Sequence, residues 1–218
     1  MSPTRAWVFG VDEAGRGPIL GPMAISVVAL DRQAASALRR AGVVDSKDFG
    51  AGPTAWAARA ELAALVTRKA AAVSVRLVEV DEIDHYTSRG QLNALERRVT
   101  AEMLRELDVG NDERIICDGR ALFSPLVALF PSLEAVDHGE SAHTAVAAAS
   151  IVAKDARDTA FAAIVARYEP EFGPISGGGY INAATRRFLD AYRAKHGALP
   201  PEARKSWGAK NDATLPLL

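Results

Sequence analysis

Short apolar runs alternate with longer stretches of helical periodicity along the chain, and this alternation predicts strands interleaved with helices. A loop rich in Gly and Pro, at residues 15–22, separates the first two apolar runs, and this arrangement is typical of antiparallel neighbours. Five strands are predicted, at residues 6–11, 23–30, 73–80, 114–117 and 133–136.

Apolar positions three and four residues apart predict four helices, at residues 53–72, 91–107, 143–168 and 182–196. The last helix has recognisable ends, because Asn182 can cap its first turn and Gly197 can adopt the left-handed conformation that ends a helix. Strands mixed with helices in a chain of 218 residues predict a single α/β domain, residues 1–218.

Composition narrows the class of protein. The chain is 49% hydrophobic and 24% charged, which suffices for one sizeable core. No apolar run approaches the roughly 18 residues that cross a bilayer, and Asp12 and Glu13 come too early for a secretory signal peptide. The single cysteine, Cys117, excludes a disulfide framework and a Cys-rich zinc site. A cytoplasmic protein without membrane contact is expected.

Charge is unevenly distributed although the formal net charge is only −1. Residues 186–210 contain seven basic and two acidic residues, so this segment carries +5 and the remainder carries −6. This separation of a basic segment from an acidic remainder favours a site of grouped carboxylates with an anion-binding surface beside it. A solvated helix face is the alternative interpretation of the basic segment.

Two adjacent carboxylates, Asp12 and Glu13, follow an apolar strand and precede a series of glycine turns. Adjacent strand residues point to opposite faces, so we expect the backbone to turn at this point if both side chains serve one site. A buried pair of carboxylates requires a compensating cation, and oxygen-only ligands favour Mg²⁺ or Mn²⁺.

The glycines that follow are not a good match to a phosphate-binding loop. The spacing of Gly15, Gly17 and Gly21 is one residue longer than the dinucleotide-binding fingerprint, and the segment lacks the Lys-Ser/Thr pair of a P-loop. The two preceding carboxylates would also repel a phosphate unless a metal ion bridged them. A nucleotide-binding fold is therefore disfavoured.

Two further acids stand at comparable positions. Asp118 ends the strand at residues 114–117, and Glu140 precedes the long alanine-rich helix. Each has a local alternative, a turn for Asp118 and a helix cap for Glu140. The positions of these four acids predict that their carboxylates converge and hold two divalent ions roughly 3.5–4 Å apart. Enzymes that cleave phosphodiesters use this arrangement of two metal ions.

Several segments resemble the ribonuclease HII family, the type 2 ribonucleases H. The resemblance is carried mainly by DEAGRGP at residues 12–18 and AAASIVAK at residues 147–154. Four further segments occur in the same order as in this family: Asp45-Ser46-Lys47, the strand ending in Asp118-Gly119, Gly178-Gly179-Tyr180, and the stretch from Pro200 to Trp207. The last two segments are similar to the archaeal-like branch of the family.

The resemblance implies a ribonuclease H-like fold, with a mixed five-stranded sheet flanked by helices. A catalytic core would occupy about residues 1–170, a helical C-terminal substrate-binding part about 171–210, and a flexible tail 211–218. The implied metal ligands for two Mg²⁺ or Mn²⁺ ions, which are also the catalytic residues, are Asp12, Glu13, Asp118 and Glu140. The family usually has Asp at the position of Glu140, and Asp137 is the alternative ligand.

The implied activity is endonucleolytic cleavage of RNA in RNA–DNA hybrids, and 5′ to single ribonucleotides in duplex DNA, leaving a 3′-hydroxyl and a 5′-phosphate. A catalytically impaired binding module of the same fold is the alternative. Ser150 and Asp158 are interpreted as helix-packing and ion-pair residues. The implied substrate-binding residues are Gly15, Arg16, Gly17 and Tyr180 at the ribose, and Lys47, Lys154, Arg204 and Lys205 at phosphates.

The last five residues, 214–218, resemble a peptide that docks on a sliding clamp, although Thr214 stands where Gln is usual. A frayed chain end is the alternative interpretation of this tail. The chain is expected to be a monomer.

Overall fold

The computed structural model of the protein describes residues 6–43 and 53–207. Lys47 and the clamp-like tail at residues 214–218 lie outside these residues. The described chain forms two compact units, each assembled from three stretches. The first unit contains the residues up to Ala14, Ala24–Arg76 and Glu96–Ala156, and the second contains Gly15–Met23, Leu77–Leu95 and the residues from Arg157 onward. The predicted division near residue 170 stays a prediction.

A five-stranded sheet contains all the predicted strands, in the order β3-β2-β1-β4-β5. The central strand, β1, pairs antiparallel with β2 and parallel with β4, and β4 pairs parallel with β5, so the sheet is mixed as expected. The strands are β1 (Val8–Ala14), β2 (Met23–Leu30), β3 (Ala72–Val78), β4 (Arg114–Asp118) and β5 (Leu133–Val136).

The first strand continues beyond its predicted end at residue 11. Glu13 and Ala14 remain paired with β2, opposite Ile25 and Ala24. The chain leaves the strand only at Gly15, whose φ of 81° lies in the left-handed region that glycine favours. The expectation of a backbone turn at the carboxylate pair itself is therefore wrong, because ladder pairing with β2 keeps both residues extended.

The four predicted helices are present, and sequence patterning missed four others among the described residues. The short helices α1, α3, α5 and α6 were not predicted. Helix α1 is capped by Asp31, whose carboxylate accepts a hydrogen bond from the Ala34 N–H at 2.7 Å. The helices are α1 (Arg32–Arg40), α2 (Pro53–Lys69), α3 (Val80–Thr87), α4 (Leu92–Glu106), α5 (Arg120–Phe123), α6 (Gly139–Ala142), α7 (Thr144–Phe172) and α8 (Ala183–His196). None of the described helices is long and apolar enough to span a bilayer.

The alanine-rich start of α7 packs closely on the sheet of the first unit. A side chain at Gly10 in β1 would lie 2.1 Å from the carbonyl carbon of Ala145, so the helix backbone passes directly over the strand. Small residues on both elements permit this approach. The buried alanines at 147–149 belong to the same core cluster as Val28 and Leu30 of β2.

The second unit has its own apolar core, in which Phe188 and Leu189 of α8 pack with Ile19 and Leu20. The C-terminal segment, residues 202–207, runs beside the loop at residues 15–21. A bridge joins Leu20 to Ala203, and the Arg204 N–H donates to the carbonyl of Ile19 at 2.8 Å. The loop at residues 15–21, called the glycine loop below, is thus held by the end of the described chain.

Candidate active site

Two of the predicted carboxylates lie at one edge of the sheet in the first unit. The parallel register of β1 and β4 pairs Val11 with Cys117, so Asp12 and Asp118 occupy the next position on neighbouring strands. Residues in register on adjacent strands point to the same face. The sheet therefore brings Asp12 and Asp118 together, as the pattern of acids at strand ends predicts.

The Asp12 carboxylate is buried in a strongly negative environment. Its side chain is 7% exposed, and its Oδ1 atom accepts a hydrogen bond from the Glu13 N–H at 2.8 Å. Burial, the charge of Glu13 and, more weakly, the charge of Asp118 raise the pKa of Asp12 from 3.8 to about 7. A hydrogen bond with the Ser150 side chain partly opposes this rise.

Ser150 therefore has a role at the site that sequence patterning missed. Its hydroxyl contacts the Asp12 carboxylate and also accepts a hydrogen bond from the Lys154 ammonium group at 3.2 Å. The interpretation of Ser150 as a helix-packing residue is thus incomplete, since its hydroxyl joins a carboxylate of β1 to a cation of α7. The (i, i+4) spacing of Ser150 and Lys154 was the available signal in the sequence.

Asp118 is linked to the turn that carries Glu140. Its Oδ1 atom accepts a hydrogen bond from the Gly139 N–H at 2.9 Å, and Gly139 begins the short helix α6. Glu140 follows directly and is buried, with 4% exposure. The Glu140 residue thus follows the group that binds Asp118, and its role as the fourth acid and metal ligand stays a prediction.

Asp137, the alternative ligand, is exposed and engaged elsewhere. Its Oδ1 atom accepts a hydrogen bond from the Arg120 N–H at 2.8 Å, at the start of α5. Its second oxygen lies 3.9 Å from Nε of the same arginine. Asp137 thus serves as the acceptor for the first turn of α5, which gives it a structural role.

The donor chemistry at this edge fits a divalent cation. Asp12, Glu13 and Asp118 offer only oxygen ligands, and the raised pKa of Asp12 reflects burial and like charge, both of which a cation relieves. Within residues 6–43 and 53–207, no three His, Cys, Asp or Glu side chains form a group that could hold a metal ion. The carboxylates therefore share one edge without closing around a common point.

The residues expected at the ribose lie in the second unit. The side chain of Tyr180 is 56% exposed and packs against the glycine loop, since a Cβ atom at Gly17 would lie 2.9 Å from Tyr180 Cε1. The Arg16 guanidinium donates to the Asn93 side-chain oxygen at 2.5 Å. Gly15, Arg16, Gly17 and Tyr180 therefore belong to one compact unit, and Asn93 joins them without having been predicted.

The expected phosphate contacts divide into two kinds. Lys205 is exposed, and Lys154 is partly exposed. Arg204 is fully buried, with 0% exposure, and its guanidinium donates to backbone carbonyls of the glycine loop. The expectation of a phosphate contact at Arg204 is wrong, because a buried guanidinium directed at backbone oxygens cannot reach a phosphate in solvent.

A family model described as "Ribonuclease HII" matches residues 9–210. The chain belongs to the ribonuclease HII family. The ribonuclease HII of Thermofilum pendens is 35% identical to this chain over an alignment of 217 residues. The alignment covers 92% of this chain and 95% of the relative. This similarity extends over nearly the whole length of both proteins.

Two solved structures are similar to this ribonuclease HII. The crystal structure of ribonuclease H2 from Pyrococcus horikoshii OT3 matches 94% of this chain and 95% of its own, with a TM-score of 0.76 and 27% identity. The ribonuclease HII in the structure of the PCNA:RNase HII complex from Archaeoglobus fulgidus matches 92% and 94%, with a TM-score of 0.74 and 27% identity. The ribonuclease H-like fold, with its mixed five-stranded sheet and helical C-terminal region, is confirmed.

Membership of the ribonuclease HII family identifies the class of reaction. Ribonucleases HII are endonucleases, and the family acts on the RNA of RNA–DNA hybrids with the help of divalent metal ions. The expectation of an enzyme is therefore confirmed. The acidic edge of the first unit is the part of this ribonuclease HII whose chemistry corresponds to the metal requirement.

Proposed function

We propose that this ribonuclease HII cuts the RNA strand of hybrids and also cuts 5′ to a single ribonucleotide in duplex DNA, with Mg²⁺ or Mn²⁺ as cofactor. The products would carry a 3′-hydroxyl and a 5′-phosphate. The observation that carries the proposal is the buried Asp12 carboxylate, whose pKa is raised to about 7 by burial and by the charges of Glu13 and Asp118. A site under such strain from like charge is suited to bind cations.

The residues that would hold two divalent ions are Asp12, Glu13, Asp118 and Glu140. Ions bound there would supply positive charge toward the scissile phosphate. The chain itself contributes orientation, because Ser150 and the Glu13 N–H both hold the Asp12 carboxylate by hydrogen bonds. These bonds favour the ionised form of Asp12, which is the form that binds a cation.

Recognition of the ribose is proposed for the glycine loop and Tyr180. The 2′-hydroxyl is the chemical mark that distinguishes a ribonucleotide from its DNA surroundings. Gly15 and Gly17 allow backbone groups to approach a sugar, and the exposed Tyr180 ring beside Gly17 can stack on a sugar or base. Lys154 and Lys205 are proposed phosphate contacts, which set the register on the duplex.

The experiment that tests this function uses a DNA duplex with one ribonucleotide, labelled at the 5′ end. We expect a single cut 5′ to the ribonucleotide in Mg²⁺ or Mn²⁺, none in EDTA, and none in an all-DNA duplex of the same sequence. Asp12→Asn is the matched control, since it keeps the shape of the side chain and removes its charge. If the protein cuts a long RNA–DNA hybrid but not the duplex with one ribonucleotide, its function is restricted to hybrids. Cleavage by Asp12→Asn would exclude the proposed metal role.

A sliding clamp is a proposed partner of the tail at residues 214–218. The support is the sequence of the tail, together with the similarity of this chain to the ribonuclease HII in the PCNA:RNase HII complex from Archaeoglobus fulgidus. We expect the full chain to bind its cognate clamp in calorimetry and the double variant Leu217→Ala, Leu218→Ala to lose binding without loss of cleavage. Equal binding by both proteins would place the clamp contact elsewhere.

A further inference from the structure

Three successive carbonyl groups of the glycine loop are held from one side by the C-terminal segment. The Arg204 guanidinium donates to the carbonyl of Gly15 at 2.6 Å and to that of Arg16 at 2.9 Å. The Trp207 indole N–H donates to the carbonyl of Gly17 at 3.0 Å. Successive carbonyls in an extended chain alternate in direction. The chain bends at Arg16 and Gly17, and these bends bring the three carbonyls to the same segment.

The direction of these carbonyls determines the direction of the N–H groups. In a trans peptide the carbonyl of one residue and the N–H of the next point in opposite directions, and the described residues contain no cis peptide bond. Because the carbonyls of Gly15 and Arg16 face Arg204, the N–H groups of Arg16 and Gly17 face away from it. Two adjacent N–H groups on one side of a loop form a donor pair that suits a single oxygen acceptor.

The C-terminal segment is itself anchored within the second unit. The Asp84 carboxylate of α3 accepts hydrogen bonds from the N–H groups of Lys205 at 2.8 Å and Ser206 at 3.0 Å. The Trp207 ring lies 5.0 Å from the Arg204 guanidinium carbon, which closes the arginine in on one side. The guanidinium also donates through Nε to the carbonyl of Gly21 at 3.0 Å, so it joins both ends of the glycine loop.

We propose that Arg204 is a positioning residue that directs the N–H groups of Arg16 and Gly17 toward the 2′-hydroxyl oxygen of a ribonucleotide. The proposal rests on the function proposed above and extends it to a buried residue that does not touch the substrate. Loss of Arg204 leaves the exposed lysines in place. Its removal therefore weakens the distinction between ribose and deoxyribose and leaves the general attraction to DNA phosphates unchanged.

The test compares binding to a duplex with one ribonucleotide and to the same duplex made of DNA alone, by fluorescence anisotropy in EDTA. We expect Arg204→Lys to lose about tenfold of the wild-type preference, with the Kd for the all-DNA duplex unchanged within about twofold. A lysine ammonium keeps the charge but cannot span carbonyls at both ends of the loop. Phe188→Leu, a core change in the same unit, is the control for loss of stability and should keep the preference.

A chemical rescue separates orientation from mere structural support. Ethylguanidinium has the size and the donors that Arg204→Ala removes, so it should restore the preference of that variant, whereas ethylammonium should not. If the Arg204 variants do not fold, Trp207→Leu provides the test, because it removes the aromatic ring that closes the Arg204 guanidinium in on one side and should lower the preference about threefold.

The outcomes distinguish this proposal from the function on which it rests. A folded Arg204→Lys protein that keeps the full wild-type preference would overturn the positioning role alone, as would a folded Trp207→Leu protein with an unchanged preference. A wild-type protein that binds both duplexes equally and cuts neither would overturn the proposed ribonucleotide specificity and this proposal together.

Discussion

The carboxylate of Asp118 accepts a hydrogen bond from the backbone N–H of Gly139 at 2.9 Å. This bond ties the acid at the end of β4 to the first residue of α6, where Glu140 is the next residue. Glu140 is buried, whereas Asp137, three residues earlier, is exposed and accepts from the start of α5. The two acids therefore occupy different environments although they are close in sequence.

The first prediction concerns this pair of acids. Glu140→Gln should lower kcat by about 100-fold or more, because it removes a charge from the proposed metal ligands. Asp137→Asn should change kcat less than about threefold and should lower the free energy of unfolding by at most about 1 kcal/mol, the usual value of a helix cap. Steady-state cleavage and urea unfolding of both variants measure these effects. A larger loss of kcat in Asp137→Asn than in Glu140→Gln would show that Asp137, and not Glu140, is the metal ligand.

The second prediction concerns the pH dependence of stability in the metal-free protein. Folding raises the pKa of Asp12 from 3.8 to about 7, so the folded state favours the protonated form. The wild type therefore suffers no penalty below about pH 4 and loses stability as the pH rises to about 7, above which the penalty is constant. Asp12→Asn avoids this loss and should be more stable than wild type at pH 8, by at most about 4 kcal/mol.

Urea unfolding in EDTA at pH 4 and pH 8 measures this gain. Asp137→Asn serves as the control, since its exposed side chain should give no gain that grows with pH. Saturating Mg²⁺ should stabilise the wild type and reduce the advantage of Asp12→Asn, because the cation binds the ionised carboxylate. An Asp12→Asn protein that is no more stable than wild type at pH 8 contradicts the prediction.

The third prediction assigns a role to Ser150. Its hydrogen bond lowers the pKa of Asp12, so Ser150→Ala should raise that pKa and move the acidic limb of the pH–activity profile to higher pH. Activity at pH 7 should fall about tenfold, as is common when a residue that orients a ligand is removed. The profile of kcat/KM against pH, measured between pH 5.5 and 9, shows the shift.

Ser26→Ala is a matched control for Ser150→Ala. Ser26 is also a buried serine of the first unit, and its hydroxyl donates to the carbonyl of Ala149 at 2.6 Å. Its loss should cost about 1 kcal/mol of stability and leave the acidic limb in place. Equal shifts in both variants would attribute the effect to altered packing of α7.

The fourth prediction concerns the contact between Gly17 and Tyr180. A methyl group at Gly17 meets the Tyr180 ring at 2.9 Å, so Gly17→Ala must displace that ring. We expect cleavage at a single ribonucleotide to fall about tenfold in Gly17→Ala and in Tyr180→Ala, with the double variant no worse than Tyr180→Ala. Gly110→Ala is the control, because the nearest atom to its added methyl group lies 3.7 Å away. Additive losses would show that the two residues act separately.

Local patterning predicted the five strands, four of the eight described helices and the positions of the acids. Strand β2 has its predicted bounds because an apolar run between a Gly/Pro loop and a charged segment has few alternatives. Asn182 and Gly197 bound α8 as expected, since capping depends on adjacent residues. The resemblance to ribonuclease HII rests on the same kind of local information, and the family match confirms it.

Only the tertiary structure decided what several polar side chains contact. Arg204 donates to Gly15, which lies 189 positions earlier, and Ser150 contacts Asp12 from a distant helix. Such partners cannot be inferred from local periodicity, because the burial of a charged group depends on which carbonyls or carboxylates the fold brings to it. The sequence alone therefore determined the strands, the four longer helices and the acidic residues, because these depend on local patterning. Long-range packing determined whether an arginine binds phosphate or supports a loop.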